Sequence, residues 1–225
     1  MDVAKTTILG NSALGVFATA TNKYAILPYN VKKSVIDVIK SVLEVPTYEV
    51  SISNSVLLGT LTAGNSKILF VPPTITAKEQ EIITSYFKDL NVEIIEIETK
   101  YTALGNLILM NDKGAIISDL FEKPAQKAIK DYIDGDAEVG QLLNSPLVGT
   151  IGMCTNRGCL VHPLLSQEEL NEISSLLKVP VDLCTVNRGI PYPKVGMLAN
   201  SYGAVVGVDT TGPESMRIFE VLLSQ

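Results

Sequence analysis

The sequence predicts an α+β fold in which five pseudo-symmetric units, each a β-hairpin, a helix and a strand, form a closed ring of the α/β-propeller type. Three markers recur together about every 45 residues. Asn-led turns begin at Asn22, Asn65, Asn111, Asn156 and Asn200. A glycine precedes each turn, at Gly15, Gly59, Gly105, Gly149 and Gly196. Further upstream stand Asn11-Ser12, Asn54-Ser55, Asn144-Ser145 and Asn187-Arg188, with Lys100-Tyr101 as the deviating member.

Each unit begins with a predicted hairpin. In the first unit, residues 14–19 and 24–27 are apolar or alternating runs on either side of Asn22-Lys23. Asn tolerates the positive φ that tight hairpin turns require. The same pattern surrounds the other four Asn-led turns, so one hairpin is expected in each unit.

A helix follows each hairpin. Four helices have a capping-box pattern, in which the cap side chain and an acid three residues later satisfy free N–H groups. The pairs are Thr76 with Glu79, Asp119 with Glu122, Ser166 with Glu169 and Thr211 with Glu214. Asn30 is expected to cap the first helix. Apolar residues form one stripe on each helix, so each is expected to cover one side of a sheet.

A further strand completes each unit except the fifth. The predicted strands are 47–52, 92–97, 137–142 and 181–186. The missing fifth strand is supplied by residues 6–9, which would close the ring and protect its strand edges. We therefore expect one domain over residues 1–225, with repeats at about 11–53, 54–98, 99–143, 144–186 and 187–225. The alternative is an open, doubly wound α/β sheet with evenly sized units.

Composition limits the function. The chain has 225 residues, 46% of them hydrophobic, and a net charge of −6, which argues against a protein that mainly neutralises nucleic-acid phosphates. The N-terminus lacks a secretory signal pattern and no apolar run could span a membrane. Three cysteines are an odd number that favours a reducing compartment over a disulfide framework. The expectation is a soluble cytoplasmic protein.

Catalytic and metal-binding patterns are weak. His162 stands at the end of a predicted strand, where a structural role is favoured over a catalytic one. Cys154, Cys159 and Cys184 lack the paired spacing of a structural zinc site, and free cysteines on strands are usually small core residues. The sequence contains no phosphate-binding glycine loop and no nucleophile elbow. We expect no catalytic residues, no metal and no cofactor.

Several motifs carry a resemblance to a known family. They are Tyr101-Thr102-Ala103-Leu104-Gly105-Asn106, Cys154-Thr155-Asn156-Arg157-Gly158-Cys159-Leu160-Val161-His162-Pro163, Thr185-Val186-Asn187-Arg188-Gly189 and Gly207-Val208-Asp209-Thr210-Thr211. With these motifs the chain resembles the translation initiation factor 6 family in its shorter archaeal form, over essentially its whole length. The resemblance implies the pentein fold, which is a closed ring of five such units.

The resemblance also implies a function. A member of this family would be a non-enzymatic factor that binds the large ribosomal subunit on its intersubunit face, near the sarcin–ricin loop. It would bind mainly through a ribosomal protein, with minor rRNA contact, and would sterically prevent joining of the small subunit. Roles in subunit maturation and translation initiation would follow, with release by an elongation-factor-like GTPase and the Shwachman–Diamond-type protein. We expect a monomer.

The ring predicts where a partner would bind. Residues just after the repeat glycine should form a collar around one end of the axis. These residues are Val16, Thr60, Asn106, Thr150 with Ile151, and Met197. Their chemical variety suits a surface that contacts an asymmetric partner, although ordinary inward-facing or solvent-facing strand positions are the alternative. The family resemblance favours Asn106 over the others.

Two other functions remain open. A guanidino-modifying hydrolase or transferase of the pentein type would use Cys, His and acidic residues, for which His162 and Cys184 are the candidates. An RNA-binding accessory factor would need a contiguous basic patch. Its best starting points are Lys32-Lys33 and the group Lys123, Lys127 and Lys130.

Overall fold

The computed structural model describes residues 2–224. Its long helices are α2 (Lys33–Leu43), α4 (Ala77–Phe87, extended by the 3₁₀ turn Lys88–Leu90), α6 (Lys123–Tyr132), α8 (Gln167–Leu177) and α10 (Gly212–Leu222). Between them lie five single helical turns, α1 (Leu14–Phe17), α3 (Leu58–Leu61), α5 (Leu104–Leu107), α7 (Val148–Ile151) and α9 (Pro193–Gly196). The predicted end of the fifth repeat at residue 225 lies outside the described residues.

Within residues 2–224, fifteen strands form five three-stranded sheets. They are β1 (Val3–Thr6), β2 (Thr19–Ala20), β3 (Ala25–Pro28), β4 (Thr47–Val50), β5 (Ala63–Gly64), β6 (Ile68–Val71), β7 (Glu93–Glu96), β8 (Ile108–Met110), β9 (Gly114–Ser118), β10 (Asp136–Gly140), β11 (Gly152–Cys154), β12 (Cys159–Val161), β13 (Val181–Leu183), β14 (Met197–Ala199) and β15 (Ala204–Gly207). In every sheet an antiparallel hairpin is joined by a parallel third strand. The predicted ring of five hairpin–helix–strand units is confirmed.

Ring closure occurs three residues earlier than predicted. The closing strand is Val3–Thr6, which pairs in parallel with Ala204–Gly207, and not residues 6–9. Leu9 and Gly10 have positive φ, and Ile8 bridges to Asn11 in a tight turn. Because that turn reverses the chain, the residues after Thr6 cannot continue the strand.

The first hairpin strand of the first unit is also shorter than predicted. Residues 14–17 form the helical turn α1, and only Thr19–Ala20 pair with the returning strand. A four-residue apolar run has too few residues to distinguish helical from strand periodicity, so the sequence pattern suggested a longer strand. The same helical turn precedes the hairpin in all five units.

Three of the capping predictions are confirmed. Thr76, Ser166 and Thr211 each form a complete capping box with the Glu three residues on. The other two are wrong. Helix α6 begins at Lys123 with Pro124 in its first turn and with no side-chain cap, so Asp119 lies outside it. Asn30 has positive φ and lies in a turn, and α2 begins only at Lys33.

The core is divided among the five units. In each unit the middle strand is buried on both faces, as all four residues of Ala25–Pro28 show. The long helix covers the outer face of this strand, and the inner face is turned towards the axis of the ring. Because both faces are buried, the strand is expected to be a continuous apolar run rather than an alternating pattern. In residues 2–224 no helix is long and apolar enough to cross a membrane.

One cysteine expectation needs correction. Cys154 and Cys159 are cross-strand neighbours in β11 and β12, and they form a disulfide. The hairpin register places the two side chains opposite each other, which a spacing of four intervening residues did not reveal. The expectation that Cys154 and Cys159 are free core residues is therefore wrong, whereas Cys184 is free and buried.

Candidate functional site

The ring has two chemically different ends. From its helical turn, each unit runs along the first hairpin strand to the Asn-led turn and returns along the second strand. All five helical turns therefore lie at one end, which we name the collar end. The Asn-led turns lie at the opposite end, which we name the Asn end. The long helices begin at the collar end and finish at the Asn end.

Close backbone packing forms the centre of the collar end. A Cβ added at Gly59 would overlap the carbonyl oxygens of Gly15 and Ala18 in the preceding unit. Gly105 meets Gly59 and Thr62 in the same way, and the relation repeats around the ring. Contact between a glycine Cα and a neighbouring carbonyl permits weak Cα–H···O bonds. The five turns form a hub that tolerates no side chain at four of these positions, Gly15, Gly59, Gly105 and Gly149.

The fifth unit departs from this pattern. In units two to four, a Cβ on the hub glycine would overlap the carbonyl oxygen of the hub glycine in the preceding unit. At Gly15 the overlapped oxygen belongs to Lys194, so Lys194 occupies the hub position of the fifth unit. Gly196, the glycine that the sequence spacing selected, packs instead against Val186 and Asn187. The half-buried Lys194 side chain crosses the hub, and its ammonium donates a hydrogen bond to the carbonyl oxygen of Gly105 in the third unit.

The structure separates the predicted collar residues into two groups. Val16, Thr60, Asn106 and Thr150 are partly exposed and share the third position of their helical turns. The two remaining predictions are buried, Ile151 at 2% exposure and Met197 at 0%.

The prediction that Ile151 and Met197 lie on the collar surface is therefore wrong. Ile151 packs in the core of the fourth unit, and Met197 begins strand β14. The fifth partly exposed position of the collar is Val195, one residue after Lys194.

Exposed apolar side chains surround the hub. The described residues expose fifteen large apolar side chains, and most belong to loops at the collar end. These are Leu9, Tyr29, Val56, Leu57, Leu120, Leu147, Leu164, Ile190, Tyr192 and Val208. We call this set the apolar rim. Leu164 is 77% exposed, and an exposed apolar surface of this kind is typical of a protein interaction site.

Sequence reasoning missed the apolar rim. Its members stand in loops, where periodicity gives no information about which residues face solvent. A usable signal was present, however, because Val56, Leu57 and Leu147 follow the recurring Asn-Ser marker directly or closely. Apolar residues at these turn positions are not needed to fill the core, so their recurrence in more than one unit indicates an exposed apolar surface.

Buried or partly buried carboxylates fix some of the rim loops. Glu79 caps its own helix and also accepts hydrogen bonds from the backbone N–H groups of Ser53 and Asn54, at 3.0 and 2.8 Å. Glu169 accepts one from the backbone N–H of Leu143 at 2.8 Å. In each case the loop has positive φ, so the carboxylate stabilises a turn just before the helical turn.

Glu214 is the most strongly bound of these carboxylates. It accepts hydrogen bonds from the backbone N–H groups of Thr211 and Gly189 and from the hydroxyl of Thr185. Burial alone would raise the pKa of Glu214, but these hydrogen bonds outweigh it and lower the pKa to about 2. Glu214 therefore remains ionised and holds the loop before Ile190 and Tyr192.

Two cavities lie at the collar end. A space of about 60 Å³ at the axis is lined by Lys194, Gly15 and Gly149 and by residues of the first hairpin strands. An open groove of about 360 Å³ lies between the fourth and fifth units, lined mainly by Leu147, Tyr192 and other apolar residues. The first has room for a few small molecules of water size, and the second has the size and composition to receive an apolar side chain.

The chemistry expected of a hydrolase is not supported. Cys184 is buried, and burial, with a smaller contribution from Glu214, raises the pKa of its thiol to about 12. A thiol in that state is inert as a nucleophile. His162 is also buried, its Nδ1 accepts a hydrogen bond from the backbone N–H of Leu164, and burial lowers its pKa. Within residues 2–224, no group of His, Cys, Asp and Glu is placed to hold a metal ion.

The basic residues do not form one patch. Lys32 and Lys33 are exposed near the start of α2 in the first unit. Lys123, Lys127 and Lys130 are exposed on α6 in the third unit. The second unit separates these two helices, so the contiguous surface that an RNA-binding accessory factor would need is not formed by these residues.

The Asn end is closed by hydrogen bonds between units. The side-chain amide of Asn200 donates to the carbonyls of Thr21 and Leu43, at 3.0 and 2.7 Å. Asn111 donates to Thr155 and Leu177 in the same way. Two of the accepting carbonyls, those of Leu43 and Leu177, stand at the ends of long helices, where they lack partners within the helix.

Comparisons with known proteins give one consistent family. A family model described as the eIF-6 family matches residues 3–221. The chain is 45% identical to a translation initiation factor 6 of Pyrococcus abyssi, over 93% of each chain. It is 43% identical to that of Methanococcus maripaludis, over 98% of each, and 34% identical to that of Pyrobaculum arsenaticum, over 98% of this chain and 99% of the relative.

A solved structure is also similar to the chain. It is the agmatine deiminase of C. jejuni, with 13% sequence identity and a TM-score of 0.45. The match covers 75% of this chain and 62% of the deiminase.

Proposed function

The chain belongs to the eIF-6 family of translation initiation factors, and from this premise we propose that it binds the large ribosomal subunit through its collar end. Bound there, it would occupy part of the intersubunit face and keep the small subunit from joining. The proposal extends to roles in subunit maturation and to a monomeric protein acting in the cytoplasm.

The apolar rim is the observation that carries the proposal. Most of the large apolar side chains that the described residues expose belong to this one end of the ring. Leaving them in water serves no purpose in the fold, because the cores of the units are already filled. Their position around a rigid hub suits a surface that buries them against a partner.

A protein is the better partner for this surface than RNA. The net charge of the chain is −6, and the five helical turns, all within the described residues, contain one charged side chain, Lys194. RNA-binding surfaces normally present several cations to phosphates. We therefore propose a ribosomal protein on the intersubunit face, near the sarcin–ricin loop, as the main contact, with rRNA contributing little.

Steric exclusion requires no catalytic group. The proposal accordingly assigns no reaction to His162 or Cys184, and it agrees with membership of a translation-factor family rather than an enzyme family. Removal from the subunit by an elongation-factor-like GTPase and the Shwachman–Diamond-type protein, which the resemblance implies, stays a prediction.

The test is a subunit-joining experiment. Purified protein is mixed with isolated large subunits, small subunits are added, and co-sedimentation and the joined fraction are followed on a density gradient. We expect the protein to sediment with large subunits and the joined fraction to fall as its concentration rises. Failure to co-sediment at both low and moderate salt would overturn the proposal.

Matched variants locate the binding end. Leu57→Asp changes a rim residue that is 39% exposed, and Tyr202→Asp changes an Asn-end residue that is 38% exposed. Asn106→Glu adds a charge beside the hub. We expect Leu57→Asp and Asn106→Glu to weaken subunit binding about tenfold, with thermal unfolding nearly unchanged, and Tyr202→Asp to bind normally. Equal effects at both ends would remove the collar end from the site.

A further inference from the structure

Lys194 is the exception among the five hub positions. Glycine occupies the same hub position in units one to four, where the backbones touch. Lysine is among the residues least often buried without a charged partner. In the described part of the chain, the ammonium of Lys194 has one hydrogen-bond acceptor, the Gly105 carbonyl, and no salt-bridge partner. A lysine at a position where the other units have glycine is expected to cost stability, and such costly residues are expected where function requires them.

The surroundings of Lys194 contain no other charge. The helical turns packed around it, α1, α3, α5 and α7, consist of apolar residues, glycine, threonine and asparagine. The hairpin strands that line the axial cavity below them are similarly uncharged, and Cys154 among them is disulfide-bonded. The electrostatic potential at the centre of the collar end is therefore set mainly by this one ammonium.

The ammonium has donors to spare. An amino group of lysine carries three N–H donors, and the Gly105 carbonyl accepts from one. Within the described residues no other acceptor takes up the remaining donors, and Lys194 is a partly exposed residue that lines the axial cavity. A carboxylate brought to the axis by a docked partner would form a charge-assisted hydrogen bond and compensate the half-buried charge.

Resting on the function proposed above, we propose that Lys194 is a specificity-determining residue of the collar end, whose ammonium at the ring axis binds a side-chain carboxylate of the ribosomal protein that docks there. The apolar rim would then supply contact area, and Lys194 would select a partner with an acid at the matching position. A neutral or basic residue at that position would leave the ammonium without compensation.

A protein carboxylate fits these observations better than an RNA phosphate. A phosphate backbone presents charges in series, and its binding sites use several cations. At the hub a single cation stands within an apolar surface on an acidic chain, so one isolated acid is the complementary feature.

A pH dependence follows from this pairing. Burial lowers the pKa of free Lys194 to about 8, so the amine loses its charge above that pH. A carboxylate partner favours the charged form and raises the pKa in the complex. Binding therefore takes up a proton above pH 8, and affinity is expected to fall as the pH rises.

The experiment measures binding to purified large subunits at pH 7 and pH 9 by sedimentation at several protein concentrations. The unmodified protein is expected to bind about tenfold more weakly at pH 9. Lys194→Met is expected to bind about tenfold more weakly than the unmodified protein at pH 7, with no further loss at pH 9. Lys194→Arg keeps its charge at both pH values and is expected to lose the pH dependence.

Controls separate this inference from the proposed function. Lys113→Met removes a lysine at the Asn end and should retain the pH dependence of the unmodified protein. Thermal unfolding checks every variant. If Lys194→Met does not fold, Lys194→Arg decides, because a loss at pH 9 as large as that of the unmodified protein would overturn the assignment.

Other outcomes are equally decisive. Lys194→Met binding subunits as well as the unmodified protein at both pH values would overturn the role of Lys194 and leave the proposed function standing. Lys194-dependent binding to protein-free large-subunit rRNA would overturn the carboxylate partner. Absence of subunit binding by the unmodified protein would overturn the proposed function and this assignment together.

Discussion

The collar end and the Asn end are built from the same repeat, yet they differ in how neighbouring units contact each other and in which side chains face solvent. At the collar end, backbones touch through glycine and apolar side chains face solvent. At the Asn end, buried amides such as Asn111 and Asn200 join neighbouring units by hydrogen bonds. The Asn end thus contributes polar links between units, and the rim of the collar end is left free for contact with a partner.

The direction of the long helices explains part of this difference. Three of their N-termini at the collar end, those of α4, α8 and α10, are capped within the same unit with the help of Glu79, Glu169 and Glu214. Their C-terminal carbonyls at the Asn end are satisfied from the neighbouring unit, as when Lys23 donates to the carbonyl of Leu90. The side-chain hydrogen bonds between units therefore lie at the Asn end, whereas the exposed rim proposed to bind a partner lies at the collar end. Variants at exposed rim positions and at the Asn end should separate binding from stability.

The largest expected effect is on the hub. Gly59→Val places a side chain where a Cβ overlaps two backbone carbonyl oxygens, and neither can move without shifting the neighbouring unit. We expect the free energy of unfolding to fall by about 3 kcal/mol, measured by urea denaturation. Gly140→Val is the control, because nothing lies within 4 Å of a Cβ there. Similar losses for the two variants would show that the hub is not close-packed.

Two asparagines five residues apart test the comparison directly. Asn111→Ala at the Asn end removes two inter-unit hydrogen bonds and two turn hydrogen bonds. We expect a loss of about 2 kcal/mol in unfolding free energy with unchanged subunit binding by the folded protein. Asn106→Ala at the collar end should behave conversely, with weaker binding and nearly unchanged unfolding. Loss of subunit binding by the folded Asn111→Ala variant would show that the Asn end contributes to binding as well as to stability.

The acid dependence of stability tests the loop anchors. The pKa of Glu214 in the folded protein, about 2, lies below the value near 4.3 of an unfolded chain. Its contribution is therefore present above about pH 4.3 and is lost as the pH falls towards 2. We expect Glu214→Gln to lower the unfolding free energy by about 1.5 kcal/mol at pH 7 and by much less at pH 2.5.

The exposed Glu172→Gln on helix α8 is the control for that titration. Its unfolding free energy should follow that of the unmodified protein at both pH values. A Glu214→Gln variant whose deficit stayed constant from pH 7 to pH 2.5 would show that the carboxylate charge does not stabilise the loop.

The smallest expected effect is a gain in stability. The pKa of Lys194 in the folded protein, about 8, lies below the value near 10.4 of an unfolded chain. The charged form is thus disfavoured by folding, and stability rises as the pH increases from about 8 to 10.4. We expect Lys194→Met to be about 1 kcal/mol more stable at pH 7, with the advantage shrinking at pH 9.5. A less stable Lys194→Met would make the lysine a structural residue.

Repetition made the ring predictable from sequence. Turn, glycine and cap markers recur because each unit solves the same packing problem, and Thr76, Ser166 and Thr211 cap their helices as expected. The helical turns escaped prediction because four apolar residues such as Leu14–Phe17 have no readable period. The disulfide between Cys154 and Cys159 depends on hairpin register, which spacing alone does not define.

The candidate site was predicted only in part. Counting from the repeat glycine placed Val16, Thr60, Asn106 and Thr150 on the collar, and these are partly exposed. In the fifth unit the count began from Gly196, which kept the spacing but does not occupy the hub. Lys194 occupies it, and a lysine could not be recognised in place of a glycine without the backbone contacts. Whether the collar binds a partner stays a prediction.

The pairing of Val3–Thr6 with Ala204–Gly207 has a consequence for biosynthesis. Strand Val3–Thr6 cannot pair until Ala204–Gly207 has been synthesised, so the ring stays open until then. Until then, α1 lacks the helical turn α9 on one side, and the nascent chain is an open arc. We therefore expect a chain without residues 204–207 to lack the complete collar end through which subunit binding is proposed.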